Sequence, residues 1–219
     1  MIFALAGNQN CGKTTLFNSL TGANQHVGNF PGVTVDQKVG TLRGTNHQVV
    51  DLPGIYSIRP YTQEEVVTQQ FLLEQKPDAI INILDATNIE RNLYLTLQLI
   101  ETGIPVVIAL NMADLLAKRG IKIDVQRLSM LLNCPIIETS ALKQSGLDAL
   151  IDEAVRVANK ESVDLPREIF SKKMEKAIEE VKGVLPEAVT EDKKRWYAVK
   201  FLENDSKVVE SMALSAAGK

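Results

Sequence analysis

The chain has 219 residues, of which 45% are hydrophobic, so it can bury a sizeable core and form one or two domains. Its 24 Lys and Arg against 27 Asp and Glu give a net charge of −3, which offers no electrostatic footprint for nucleic acid, and we expect no nucleic-acid partner. Two cysteines exclude a disulfide framework, and no apolar run reaches the roughly 18 to 20 residues that cross a bilayer.

Short apolar runs alternate with helical patterns through the first 160 residues. Strands are predicted at Ile2–Ala6, His47–Val50, Ala79–Leu84, Val106–Leu110 and Pro135–Ile137. Helices are predicted at Lys13–Leu20, Glu64–Glu74, Glu90–Thr102, Asp124–Leu132 and Leu147–Asn159. This alternation is typical of βαβ units, so residues 1–160 are predicted to form an α/β domain with a mostly parallel, doubly wound sheet.

The remaining residues follow a different pattern, since the last 60 hold 24 of the 51 charged residues. Residues 161–168 are predicted to be a linker and 169–219 a small all-α domain. Its first helix carries an apolar stripe at Phe170, Met174, Ala177, Ile178, Val181 and Leu185. A second helix is predicted after Thr190, and a third near Asp205. No partner stripe follows, so we expect this helical domain to be truncated.

Directly after the first predicted strand, residues 7–14 read Gly-Asn-Gln-Asn-Cys-Gly-Lys-Thr, which is the P-loop pattern in its required strand-to-helix context. Successive backbone N–H groups there form a cradle for phosphate. Lys13 is expected to reach the β- and γ-phosphates, and the Thr14 hydroxyl to ligate Mg²⁺. The predicted phosphate-binding residues are Gly7, Asn8, Asn10, Cys11, Gly12, Lys13, Thr14 and Thr15.

The sequence Asp51-Leu-Pro-Gly54 follows the strand His47–Val50. Its carboxylate would lie at the carboxyl edge of the sheet, near the P-loop, where it can hold Mg²⁺ through water. Gly54 can then offer its backbone N–H to the γ-phosphate.

The sequence Asn111-Met112-Ala-Asp114 follows another apolar strand. A carboxylate there can accept two hydrogen bonds from guanine, whereas adenine would leave the charge unpaired, and such sites discriminate strongly. Later in the chain, Ser140-Ala141-Leu142 is where a loop backbone would contact the guanine oxygen.

These four motifs, in this order, resemble the small GTP-binding proteins with a Ras-like fold, except that Met112 stands where Lys is common. Four longer segments are more specific. They are Gly7–Asn18, Val27–Val35, Asp51–Ser57 and Asp85–Leu95. They resemble the cytosolic part of the bacterial ferrous iron transport protein B family, and Arg195–Asp205 resembles the start of that family's helical domain.

The resemblance implies a domain that binds GTP or GDP with Mg²⁺ and K⁺ and that drives or gates ferrous iron uptake. Gly32, Val33 and Thr34 would belong to the first switch, where Thr34 closes on Mg²⁺ together with Thr14 and Asp51. The second switch would run from Gly54 to about Glu65, and Asn10 would bind K⁺. Expected partners are a membrane permease part of the same polypeptide, small accessory Feo proteins and a second copy, at the cytoplasmic face of the inner membrane.

The position after Gly54 holds Ile55, not the glutamine that orients water in Ras-like enzymes. Catalysis would therefore rest on Lys13, Thr34, Gly54 and Asn10, and hydrolysis is expected to be slow. Two alternatives stay open: a soluble GTPase of ribosome or tRNA maturation, and a module that senses GTP against GDP with little turnover.

Two further alternatives concern single residues. Cys11, at a helix N-terminus, is either a redox-sensitive thiol or only a small residue. His26 and His47 are possible iron ligands by residue type, but they lack a cluster of partners in the sequence.

Overall fold

The computed structural model describes residues 1–22, 25–59, 61–159, 170–186, 189–205 and 208. One seven-stranded sheet forms the first domain, in the order β2-β3-β4-β1-β5-β6-β7. The strands are β1 Ile2–Gly7, β2 Gln25–Asn29, β3 Asp36–Thr41, β4 Gln48–Asp51, β5 Ala79–Asp85, β6 Val106–Asn111 and β7 Ile136–Thr139. β4, β1, β5, β6 and β7 are parallel neighbours, whereas β2 and β3 add an antiparallel edge. The predicted α/β class is confirmed.

The antiparallel edge strands β2 and β3 were not predicted from the sequence. Neither strand contains a run of apolar residues, because this edge is largely exposed. The five predicted strands match the five parallel ones to within two residues, since four of those carry buried apolar residues in succession and β7 carries the half-buried Ile136 and Ile137.

Six helices flank the sheet. They are α1 Lys13–Thr21, α2 Gln63–Gln70, α3 Ile89–Glu101, α4 Ala113–Lys118, α5 Val125–Leu132 and α6 Leu147–Ala158. A π-helical turn, Phe71–Gln75, continues α2. The short helix α4 was not predicted, and it begins inside the segment that was interpreted as a base-binding loop.

Alternation along the strands divides the core between the two faces of the sheet. In β1, Phe3 and Leu5 pack with α1 and α6, whereas Ala4 and Ala6 pack with α2, α3, α4 and α5. Both faces are covered by helices, which is why the central strands are apolar at consecutive positions.

Two more helices, α7 Lys172–Val184 and α8 Glu191–Leu202, pack against each other around Ile178, Ala198 and Val199. The predicted apolar stripe lies in this small core, and Thr190 is the N-cap residue of α8, although its side chain makes no capping hydrogen bond. The predicted linker 161–168 and most of the predicted third helix lie outside the described residues. Within the described ranges, no helix combines the length and hydropathy needed to span a bilayer.

Candidate nucleotide-binding site

The candidate site lies at the carboxyl edge of the parallel strands, where the predicted motifs meet. The strand register places Leu5 beside Asp51, Asp85 beside Asn111, and Asn111 beside Thr139. The loops that follow β1, β4, β6 and β7 therefore leave the sheet side by side. Ligands of doubly wound sheets bind at this edge.

The P-loop between β1 and α1 depends on left-handed backbone at two positions. Asn10 has φ 64° and Gly12 has φ 90°. A Cβ atom on Gly12 would collide with the Asn111 amide nitrogen, so glycine is required here by both conformation and space. The first turn of α1 contains no acidic residue, so the positive end of the helix is not neutralised and favours an anion.

The strongest ionic contact of the site joins Lys13 to Asp51. Lys13 Nζ donates to Asp51 Oδ1 at 2.5 Å, and both side chains are largely buried. Lys13 and Asp51 neutralise each other here. With a ligand bound, a phosphate could pair with Lys13 and a metal cation with Asp51. The pair thus fits Mg²⁺ and nucleotide phosphates, with Lys13 turning to phosphate and Asp51 freed for the metal shell.

Asn111 joins the P-loop to the loop after β7. Its Nδ2 donates to the Cys11 carbonyl at 3.0 Å, and its Oδ1 accepts from the Ala141 N–H at 3.2 Å. Asn111 is 2% exposed, so these hydrogen bonds are shielded from water. Its side chain fixes the two loops relative to each other, and each of its amide atoms keeps one further hydrogen-bonding position.

Asp114 and Met112 follow Asn111 at the start of α4. The Met112 methyl carbon would lie 3.4 Å from a Cβ on Gly12, so its side chain covers the P-loop where Lys is common in the superfamily. Asp114 pairs with Lys143, whose Nζ lies 2.6 Å from Oδ2, and this hydrogen bond lowers the pKa of Asp114. Asp114 is therefore an ionised acceptor that guanine could take over from Lys143.

The Ser140–Leu142 loop lies beside the start of α1. Ser140 and Ala141 are buried, the Ser19 hydroxyl donates to the Ala141 carbonyl at 3.2 Å, and the Ala141 N–H donates to Asn111 Oδ1. Leu142 is 87% exposed. A cleft of about 280 Å³ opens here, and it is lined by Thr14, Thr15, Asn18, Ser19, Ala141, Leu142 and Gln144. It is continuous with the exposed first turn of α1.

No hydrogen bond among the described residues joins the predicted first switch to the P-loop. The loop of that switch closes on itself, with Phe30 N–H donating to the Val35 carbonyl at 2.9 Å, while Phe30 is buried against Phe71. Gly32, Val33 and Thr34 lie in this turn, and the Thr34 hydroxyl makes no hydrogen bond to any described residue. The predicted meeting of Thr34 with Thr14 and Asp51 stays a prediction that requires this loop to move.

Gly54 lies against the P-loop, and its predicted contact with the γ-phosphate stays a prediction. A methyl group on Gly54 would lie 3.1 Å from Cγ of Gln9, and the Ile55 N–H donates to the Gly7 carbonyl at 3.3 Å. The Ile55 side chain is 3% exposed and belongs to the core, so it does not point to the phosphates.

Two P-loop side chains are buried instead of facing a ligand. Burial raises the pKa of the Cys11 thiol to about 11, which keeps it protonated and argues against a reactive thiol. Asn8 is 2% exposed and neither amide atom has a hydrogen-bond partner, a cost that a bound water or ligand group would remove.

The two histidines lie on separate segments, with His47 directly before β4 and His26 in β2. His47 packs edge-on against Phe3. The part of the chain that the structure describes contains no group of three or more His, Cys, Asp or Glu residues that could hold a metal ion.

Sequence reasoning missed three residues at this site: Gln9, Ser19 and Lys143. Gln9 occupies a variable position of the P-loop pattern, and the pattern itself therefore gives it no role. Ser19 and Lys143 act through contacts between distant segments, with Ala141 and Asp114 respectively. Of the three, only Lys143 could have been suggested by the sequence, because it directly follows the predicted base-contacting segment Ser140–Leu142.

Fold and site together define the class, a P-loop nucleotide-binding domain built like the small GTP-binding proteins. The family model described as ferrous iron transport protein B matches residues 1–154, and the model of the FeoB cytosolic helical domain matches residues 170–219. The chain therefore belongs to the ferrous iron transport protein B family.

Individual relatives agree with this assignment. The Fe(2+) transporter FeoB of Shigella flexneri is 41% identical over 211 residues, which cover 94% of this chain and 27% of that protein. A Porphyromonas gingivalis Fe(2+) transport protein A/Fe(2+) transporter FeoB fusion protein is 48% identical over 157 residues, covering 70% of this chain and 19% of that protein. The chain thus spans about a quarter or less of the length of these relatives.

A solved structure matches nearly the whole chain. It is the crystal structure of an S. thermophilus NFeoB mutant bound to mGDP, which is 49% identical, has a TM-score of 0.92, and covers 95% of this chain and 81% of that chain.

Proposed function

We propose that this chain is the GTP-binding and GTP-hydrolysing part of a ferrous iron transporter, at the cytoplasmic face of the bacterial inner membrane. The observation that carries the proposal is the Asn111 side chain, which holds the P-loop and the Ser140–Leu142 loop in one arrangement. A phosphate cradle and a base loop fixed to each other form a site for a whole nucleotide.

Guanine recognition would depend on Asp114 and the Ala141 N–H. The ionised carboxylate accepts from the N1–H and the exocyclic amine of guanine, and the Ala141 N–H is close to where the base oxygen would lie. Adenine offers neither a donor at N1 nor an oxygen, so it would form neither of these hydrogen bonds. The binding of mGDP by the S. thermophilus relative supports this choice of base.

Hydrolysis would be an in-line attack of water on the γ-phosphate. Lys13 would leave Asp51 and donate to the β- and γ-phosphate oxygens, while the N–H groups of Gly12, Lys13 and Gly54 stabilise the developing charge. Thr14, Asp51 and Thr34 would hold Mg²⁺, which neutralises charge on the same phosphates. The Asn10 amide oxygen, exposed on the loop, would hold K⁺, and with Ile55 buried the rate would be slow.

The rest of the transporter would lie in the part of the polypeptide that this chain does not span, and α7 and α8 would connect the two. Among the described residues, polar contacts between these helices and the sheet domain include Arg195 to Glu101, Lys193 Nζ to the Leu73 carbonyl, and Arg59 to Glu203. Arg59 lies in the predicted second switch, before α2, and Leu73 lies just after α2. A movement of that switch would therefore displace the residues that contact α8 and the turn after it.

Family membership favours the transporter over a soluble GTPase of ribosome or tRNA maturation. Small accessory Feo proteins are further proposed partners, since one relative is a fusion with transport protein A. A second copy of the chain is also proposed.

Exchange of Asp114 for Asn tests the proposed base recognition. Asp114→Asn replaces the acceptor with an amide that can donate to the 2-oxo group of xanthine. We expect GTP affinity, measured by displacement of a fluorescent GDP analogue, to fall at least about 100-fold, while xanthosine triphosphate binding appears. Asp152→Asn, on the exposed side of α6, is the matched control. Equal GTP affinity of Asp114→Asn and wild type would overturn the proposal.

A further inference from the structure

Exposed apolar side chains are concentrated in one short segment of the sheet domain. Twelve large apolar residues are exposed among the residues that the structure describes, and four of them lie between positions 115 and 131. They are Leu115, Ile121, Met130 and Leu131, with exposed fractions of 41%, 52%, 74% and 66%. Single exposed apolar residues are ordinary on a protein surface, but four within two short helices and the turn between them indicate an interaction surface. Residues 115–131 are called the α4–α5 surface below.

Both helices of the α4–α5 surface are buried along one side only. Leu116 of α4 and Leu132 of α5 belong to the same core cluster, on one face of the sheet, so the opposite sides of the two helices face away from the sheet. Residues that are three and four positions apart share a side of a helix. Two such sets of exposed residues are Leu115, Lys118 and Arg119 on α4, and Arg127, Met130 and Leu131 on α5. Each helix therefore presents apolar and cationic side chains together.

The charge of this surface is opposite to that of the whole chain. Positions 115–131 contain four basic residues and one acidic residue, a net charge of +3, whereas the whole chain carries −3. All four cations are exposed, and they are Lys118, Arg119, Lys122 and Arg127. The one carboxylate, Asp124, is the N-cap of α5 and accepts the Arg127 backbone N–H at 2.9 Å. Just before the segment, Asp114 is paired with Lys143. The surface is thus complementary to a negatively charged partner.

We propose that the α4–α5 surface docks this domain on an anionic lipid bilayer. The cations meet the lipid phosphates, while Ile121, Met130 and Leu131 enter the boundary between headgroups and acyl chains. A bilayer fits better than a protein partner, because charged residues are depleted from the centres of protein interfaces, whereas here cations alternate with the apolar residues. The proposal rests on the place proposed above for this chain, at the cytoplasmic face of a membrane, where lipid is within its reach.

Docking through this surface gives the domain one orientation. α4 and α5 cover one face of the sheet, and α1 and α6 cover the other. The first face then points to the bilayer and the second to the cytoplasm. The rest of the chain is acidic, so an anionic bilayer repels it and favours this orientation.

Co-sedimentation with lipid vesicles tests the docking. We expect the chain, with GDP bound, to sediment with vesicles of equal parts phosphatidylglycerol and phosphatidylcholine. Its partition coefficient for vesicles of phosphatidylcholine alone should be at least about tenfold lower. Raising the salt concentration from about 0.1 M to about 0.5 M should release the protein, because salt screens the attraction between the cations and the lipid phosphates.

Two double variants separate the contribution of the charges from that of the apolar residues. Lys118→Gln combined with Lys122→Gln should lower the partition coefficient for the anionic vesicles at least about tenfold. Met130→Gln combined with Leu131→Gln, which keeps every charge, should lower it by a similar factor. All four side chains are exposed, so these changes leave the core intact.

The matched controls lie on α7. Lys172→Gln combined with Lys173→Gln also removes two exposed cations, and Val184→Gln removes an apolar side chain that is 79% exposed. Both controls should bind the anionic vesicles as wild type does. A loss in the controls equal to that in the two double variants would show that net charge and general surface hydropathy, not the α4–α5 surface, govern the binding, and would overturn the proposal.

The possible failures can be told apart. GDP affinity, measured for every variant, reports on folding and on the proposed nucleotide site, and it should stay within about twofold of wild type. A chain that binds GDP but no anionic vesicle would overturn the docking alone. A chain that binds anionic vesicles but no GDP would overturn the proposed nucleotide function and keep the docking. A wild-type chain that is dimeric in analytical ultracentrifugation without vesicles, and monomeric when Met130 and Leu131 are replaced, would assign the surface to a second copy of the chain and overturn lipid docking.

Discussion

The nucleotide edge of the sheet and the attachment of helices α7 and α8 are held together in different ways. At the edge, the P-loop and the Ser140–Leu142 loop are joined by neutral hydrogen bonds of one buried amide, Asn111, and the buried ion pair of Lys13 with Asp51 belongs to the ligand site itself. The helices are attached through charges, with Arg195 between Glu101 of α3 and Glu175 of α7.

The difference bears on how each region can respond to a ligand. Hydrogen bonds from a buried amide have strict geometry, so the edge is preorganised for one ligand shape. Separating the buried charges of the attachment is strongly destabilising, because each would be left buried without its partner. A small movement near α3 or α2 would therefore change the helical attachment more than it would change the P-loop.

Removing the Arg195 guanidinium should have the largest effect on stability. Arg195 Nε donates to Glu101 Oε2 at 2.7 Å and Nη1 donates to Glu175 Oε2 at 2.8 Å, and Glu101 is 3% exposed. Arg195→Met would leave a buried carboxylate unpaired, and we expect the free energy of unfolding in urea to fall by about 3 kcal/mol. Arg156→Met, which breaks an exposed pair with Glu153, should change it by less than about 0.5 kcal/mol. Equal losses would show that the attachment does not depend on the buried charges.

Gly12→Ala should disturb the edge by a different route. The added methyl group meets the Asn111 amide, and alanine resists a φ of 90° at a cost of about 1 to 2 kcal/mol. We expect a loss of about 2 kcal/mol in stability and of measurable GDP binding by calorimetry. Gly44 has φ 70° but no atom near its added methyl group, so Gly44→Ala should show the conformational cost and bind GDP normally. Normal GDP binding by Gly12→Ala would contradict the described geometry.

The smallest expected effect is on the pH dependence of the helical attachment. The hydrogen bond from Arg195 lowers the pKa of Glu175 below its ordinary value of 4.5, so its contribution is present above pH 4.5 and is lost as the pH falls through the folded-state pKa. Burial raises the pKa of Glu101, so that residue contributes with the opposite sign. As the pH falls from 6 to well below 4.5, Glu175→Gln should lose less stability than wild type. Glu180→Gln, on the exposed side of α7, is the control, and its stability should change with pH as that of wild type does. The same pH dependence in Glu175→Gln and wild type would contradict a role for the ion pair.

The sequence predicted the nucleotide edge better than the rest of the molecule. P-loop residues, Asp51 and Asn111 follow apolar strands directly, and parallel strands bring their ends together, so local patterns were sufficient. The strands β2 and β3 were missed because an exposed antiparallel edge has no apolar run. Gln9 against Gly54, Lys143 with Asp114 and Arg195 with Glu101 join segments far apart in the chain, and no local pattern contains that information.

The central claim, that this sheet edge is a GTPase site, is tested most directly by phosphate release from GTP under single-turnover conditions, in K⁺ and in Na⁺. We predict slow release from GTP and none from ATP, with a higher rate in K⁺ than in Na⁺, and the salt difference should vanish in Asn10→Ala. Equal rates in both salts would remove K⁺ from the account of Asn10. No release from GTP in either salt, with GTP bound, would contradict the central claim and leave a nucleotide-sensing module.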